Sequence, residues 1–219
     1  MVDFGLPRGL SELLGGLIES PDVVAGAMRR FHDEDFRGAA DRLRVAIHQY
    51  TGEKEQARLT MILGYCELKL ENYEDAESDL REATTVFASL GDEQLKPSLP
   101  SLFAMKHVME VRDGELEAKR RTYSIVIALD QPETRARAMV NQGDLYYFRE
   151  GRQEEARALW EKAYSVAEDD EDKAYATYNL GWYWHEHSDQ DRAVAYYEET
   201  IDLAPESVAA DYARRGLIK

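Results

Sequence analysis

The chain has 219 residues, 27 basic and 43 acidic, for a formal net charge of −16; 44% of residues are hydrophobic and 32% are charged. That length holds one or two domains, the apolar share excludes a wholly disordered chain, and the acidic excess argues against nucleic acid or an anionic membrane surface as partner, since both require basic surface. No apolar run approaches the ~18 residues of a membrane span, and the single Cys66 excludes an internal disulfide framework and suits a reducing, cytoplasmic setting.

The N-terminus lacks the basic cluster and unbroken apolar core of a secretory signal. Leu10, Leu13, Leu14, Leu17 and Ile18 instead fall at helical spacing, with Pro7 suited to a first turn. They predict an amphipathic helix over residues 8–19, within a terminal segment 1–19 that caps the first repeat or docks on a partner or a second copy. From residue 20 the chain repeats itself. Segments 34–46, 58–83, 137–163 and 174–205 align, the last three showing a small residue inside one helix, a polar turn, and alanine near the start of a second. The anchor alanines Ala39, Ala76, Ala156 and Ala193 recur at intervals of 37, 80 and 37 residues. The long interval implies a degenerate third unit, near residues 97–131, with Lys119 where alanine is expected. Two prolines and a glycine make residues 89–100 the longest connection. Residues 20–207 thus hold about five helix–turn–helix units in one domain, and a closing helix near 208–217 caps them within a terminal segment 208–219. No segment has strand periodicity.

Glycines inside helices cost roughly 1 kcal/mol relative to alanine, so Gly64 and Gly181 mark close helix approaches, with Ala76 and Ala193 as the expected facing surface. Leu43, Leu80, Trp160 and Tyr197, four residues past each anchor, share its helical face and are expected to bury against the next repeat. From Gly143 to Ala156 the spacing is one residue longer than in the neighbouring units, so that hairpin carries an insertion.

In this arrangement the sequence resembles the tetratricopeptide repeat family. Leu180, Gly181, Trp184, Ala193, Tyr197 and Pro205 stand at that family's spacing, as do Leu63, Gly64, Ala76, Leu80 and Ala83, although Glu67 occupies a position where the family carries tyrosine. The resemblance covers roughly residues 20–207. It implies an all-α fold, an α-solenoid whose hairpins stack because none can bury its apolar face alone.

Catalytic patterns are absent: the chain has no nucleophile elbow, dinucleotide fingerprint or phosphate loop. Cys66 lies within a helix and reads as buried structural cysteine. His185 and His187 are two residues apart, about 200° around a helix, so they do not share a face that could grip one ion. The acidic run 168–172 lacks the glycine and alternation of a calcium loop and reads as a helix start. No catalytic residue, metal or cofactor is expected, and the chain reads as a non-enzyme.

In the family, the first helix of each unit lines a concave groove. Carried over by position, the resemblance places Met28 and Phe31 there from the first unit and Arg58, Met61, Tyr65 and Lys69 from the second. It adds Arg137, Val140 and Tyr147 from the fourth, and Tyr178, Trp182 and His185 from the fifth. Aromatic and arginine side chains are the types enriched in interface hot spots. The subclass that clamps acidic chaperone tails needs lysine, arginine and asparagine at set positions; Asn179 alone resembles one, so that reading is disfavoured. The expectation is an adaptor or scaffold for a protein or peptide partner, a partly hydrophobic helix or extended segment, with no nucleic acid and no membrane insertion. The alternative is a self-assembling homo-oligomer that docks by its N-terminal helix.

Overall fold

A computed structural model describes residues 22–91 and 95–218. The helix expected over 8–19 lies outside these residues. Every regular element among the described residues is helical. The chain divides into two compact units, Met1–Val111 and Arg112–Lys219, and the division falls inside the segment expected to form the third repeat.

In the first unit, α1 (Asp22–His32) pairs with α2 (Phe36–Gln49), α3 (Glu53–Lys69) pairs with α4 (Tyr73–Leu90), and α5 (Leu99–Glu110) rests on α3 and α4. Each hairpin turns through a residue in left-handed backbone, Glu34 at φ 60° and Glu71 at φ 62°. Asp35 starts α2 by accepting a bond from the Gly38 amide at 2.9 Å. Because α2, α4 and α5 all cover α3, its residues from Ala57 to Leu68 are continuously buried.

The second unit holds α6 (Leu116–Ala128), α7 (Pro132–Leu145), α8 (Gln153–Val166), α9 (Asp170–Glu186), α10 (Gln190–Leu203) and α11 (Val208–Leu217). α7 pairs with α8 and α9 with α10, while α6 packs on α7 and α11 on α9 and α10. The acidic run does start a helix: Asp169 caps α9 by accepting from the Asp172 amide at 2.8 Å. The extra residue of the α7–α8 hairpin appears as a π-helical turn, Tyr146–Glu150, added to the end of α7. In the neighbouring hairpins a closing bond spans five residues, Asn72 N–H to Glu67 O and Asp189 N–H to Trp184 O, both 2.9 Å. Here Arg152 N–H reaches back six, to Tyr146 O at 2.9 Å, through Gly151 at φ 69°.

Two sequence expectations about packing change. The interior glycines do not face the anchor alanines; they make room for the large residue four positions further along the second helix of the same hairpin. A methyl group on Gly64 would lie 2.8 Å from Leu80 Cγ, one on Gly181 2.7 Å from Tyr197 Cδ1, and one on Gly143 would overlap the Trp160 indole. Those large residues therefore bury first within their own hairpin. Trp160 also meets Ala176 and Leu180 of the next one, and Tyr197 is enclosed from its other side by Gly216 of α11. Lys119 does stand at the anchor position, its amide bonding Glu115 O at 3.1 Å as the amides of Ala76 and Ala156 bond the carbonyls of Asn72 and Arg152; its side chain turns to Asp113 at 2.8 Å, and the adjacent Ala118 is the buried residue.

Candidate protein-interaction faces

On the first unit, the residues expected to line a groove form a closed aromatic and polar cluster. Phe31 meets Phe36 edge-on at 5.6 Å and Tyr65 at 5.8 Å; Tyr65 in turn meets Phe103 at 6.0 Å and His107 at 6.1 Å. The Tyr65 hydroxyl donates to Glu110 at 2.6 Å, and Lys69 pairs with the same carboxylate. Burial and that carboxylate push the Tyr65 hydroxyl far above its ordinary range. Burial, with the Lys69 charge beside it, holds His107 down to about 4. Burial alone would raise Glu110, but the bonds from Lys69 and Tyr65 outweigh it and bring the carboxyl below its usual value.

Five of the twelve expected groove residues are therefore not exposed. Met61 is 0% exposed, Val140 2%, Tyr65 4%, Arg58 7% and Phe31 8%. The reason is the same for each: a first helix is flanked by second helices and by the neighbouring first helix, so its stripe at spacings of three and four turns largely into the stack. Two expected anchors are occupied internally. Lys69 is held by Glu110, and Arg137 is held by Asp172, with its guanidinium 4.6 Å from the Tyr175 ring. Met28, Tyr147, Tyr178, Trp182 and His185 remain half-buried.

Glu67, at the family's tyrosine position, is fully buried between Arg44 of α2 and Asn72, whose amide donates at 2.7 Å. The corresponding Tyr146 and Trp184 instead lie under arginines, Arg152 at 3.7 Å and Arg192 at 4.1 Å from the ring centres. Cys66 is buried and its thiol pushed well up by burial, which leaves it unreactive. His187 bonds the Tyr183 carbonyl at 2.7 Å and stacks on that ring at 4.0 Å. Among the described residues no three His, Cys, Asp or Glu side chains are placed to hold a metal, and no helix is long and apolar enough to cross a membrane.

In the second unit a carboxylate of the stripe around Gly143 joins three helices. Asp144, on α7, accepts from the Trp160 indole of α8 at 3.1 Å and from the Asn179 amide of α9 at 2.6 Å, both on Oδ1. Burial raises its carboxyl to about 7 against the effect of those two bonds. Asn179, the residue resembling a tail clamp, thus binds a carboxylate of its own chain. Tyr178 beside it stacks obliquely with Tyr197 at 6.0 Å and Tyr212 of α11 at 5.7 Å.

Comparison with known proteins agrees with this architecture. Two family profiles, each described as tetratricopeptide repeat, match residues 25–89 and 134–206, together more than half of the chain. No curated protein matches. Among solved structures, the chain is similar to BtubC from P. vanneervenii at 17% identity and TM-score 0.45, covering 90% of this chain and 87% of that one. It is similar to MamA at 16% identity and TM-score 0.43, covering 82% and 95%, and to TTC0263, a thermophilic TPR protein of Thermus thermophilus, at 13% and 0.39, covering 90% and 98%. With hairpins, interior glycines and two profile matches in agreement, the chain belongs to the tetratricopeptide repeat family, whose repeats serve protein interaction and scaffolding.

Proposed function

We propose that this chain is a non-enzymatic adaptor that holds a partly hydrophobic segment of a partner protein against the first-helix faces of its repeats. The observation that carries the reading is the half-buried aromatic set Tyr147, Tyr178 and Trp182, with His185, left on the second unit after its core is filled. Aromatic side chains offer large contact area at small entropic cost and dominate interface energetics. On the first unit taken by itself, Met28 is half-buried, while Tyr65 and Phe31 serve the fold. A cytoplasmic setting belongs to the same reading and rests on the single buried thiol.

The test is capture of partners on the full chain, followed by calorimetry with the recovered partner. Trp182→Ala should weaken binding at least tenfold with the thermal midpoint changed by only a few degrees, because the ring is only partly buried. Unchanged affinity for the partner would remove this face from the interface. Recovery of the chain itself as sole partner would favour self-assembly.

A further inference from the structure

The geometry points to Asp144 as the receptor for a cationic group, a lysine or arginine side chain of the bound segment. This inference rests on the reading of the second unit as a peptide-binding face.

Both internal donors, Trp160 and Asn179, converge on Oδ1. Oδ2 accepts from neither, and Asp144 is half-buried rather than fully enclosed. No basic side chain among the described residues lies within ion-pair reach of the carboxylate, whereas the half-buried or buried acids Glu67, Glu110 and Asp172 are each matched by Arg44, Lys69 and Arg137. Those three acids are neutralised within the chain; Asp144, like the half-buried Asp79 of α4, has no ion pair among the described residues, and of the two only Asp144 stands on a first helix. A desolvated carboxylate without a cation costs stability, and such costs cluster where a ligand supplies the missing partner.

The surroundings suit a lysine or arginine stem. Asn141 stands one turn before Asp144 on α7 and bonds the Tyr123 hydroxyl. Tyr178 and Trp182 flank Asn179 on α9, offering aromatic surface to an aliphatic stem and π faces to its charged head. The internal pairing of Arg137 removes the cation that would have favoured an acidic ligand. A net charge of −16 steers a basic segment toward the chain, and the unmatched carboxylate gives that attraction a fixed address.

A bland alternative has Asp144 serving only to tie α7, α8 and α9 together. Asp144→Asn separates the two, because the amide oxygen still accepts from Trp160 and Asn179 while the charge is gone. A random dodecapeptide phage library is panned on the full chain. Enriched peptides should share a lysine or arginine, should bind Asp144→Asn at least tenfold more weakly, and should bind the distant exposed variant Glu206→Gln within twofold of the parent. Their affinity for the parent should also fall between pH 8 and pH 6. That fall should be lost in Asp144→Asn, since the ionisable groups facing Asp144 from α6 and α9, Tyr123 and Tyr178, stay neutral in this range. Enriched peptides that lack a basic residue, or that bind Asp144→Asn as well as the parent, overturn the assignment while leaving the interaction face standing. Failure to enrich any peptide removes the face and the assignment together. Unchanged circular dichroism and a thermal midpoint no lower than the parent's in Asp144→Asn establish that a lost affinity is not lost folding.

Discussion

Glu34, Glu71 and Ser188 end first helices in left-handed backbone at φ near 60°, where only Gly151 among the equivalent turn residues is free of a Cβ clash. Glu71→Gly and Ser188→Gly should each raise stability by about 0.5 kcal/mol, and Gly151→Ala should lower it by about 1 kcal/mol; urea midpoints decide the sign. Titration offers a second check in the first unit. His107 stands near 6.5 when unfolded and about 4 when folded. Between these values the unfolded chain takes the proton first, so the contribution of the neutral buried ring is full above 6.5 and lost as pH falls toward 4. Asp79 acts in the opposite sense. Burial and the Glu67 charge raise it from 3.8 to about 7, so within that window the unfolded chain releases its proton first and stability falls as pH rises. The two slopes oppose one another between pH 4 and 6.5, each worth up to roughly 1.4 kcal/mol per pH unit. His107→Gln should therefore expose the Asp79 slope, with stability declining from pH 4.5 to 6.5, and Asp79→Asn should expose the reverse. Parallel urea titrations of the two variants that show the same slope would contradict this assignment.

At the scale of the element, three hairpins are organised by a glycine facing a large side chain of its partner helix, Gly64 with Leu80, Gly143 with Trp160 and Gly181 with Tyr197. Gly143→Ala would drive a methyl into the Trp160 indole, which is itself fixed by bonds to Asp144 and to the Val140 carbonyl. It should cost about 2–3 kcal/mol and lower the thermal midpoint accordingly, as overpacking does. These hairpins were legible in the sequence because the signals that make them are local: the mid-helix glycine, the anchor alanine, and for α9 the acidic helix start at 168–172. Even the one-residue insertion before Ala156 was visible as a break in spacing. Exposure within the stripes was not legible. Met61 and Trp182 have the same kind of helical spacing, and what separates them is how many neighbouring helices cover each, a non-local quantity. Helical spacing places Asp144 in the stripe around Gly143, but nothing in its neighbours along the chain distinguishes it from forty-two other acids; that Trp160 and Asn179 from two other helices converge on it is visible only in space.

For the molecule as a whole, the three tryptophans, Trp160, Trp182 and Trp184, all belong to the second unit. Indole emission therefore follows that unit alone, while far-ultraviolet circular dichroism sums both. Asp144→Asn removes a half-buried charge and should raise the emission-detected urea midpoint at pH 8, by on the order of 2 kcal/mol, with no gain at pH 4, where the parent carboxyl is protonated when folded. An equal gain at both pH values would assign the effect to packing instead. The π-helical turn at Tyr146–Glu150 bears on how such a chain can change length. An extra residue in an α-helix ordinarily rotates everything beyond it by about 100° and would swing Trp160 away from Gly143. Here the surplus is confined to one widened turn, after which Trp160 meets the glycine as Leu80 and Tyr197 do in the other hairpins. The hairpin thus absorbs an insertion without losing the phase of its second helix, so repeat length and repeat packing can vary separately.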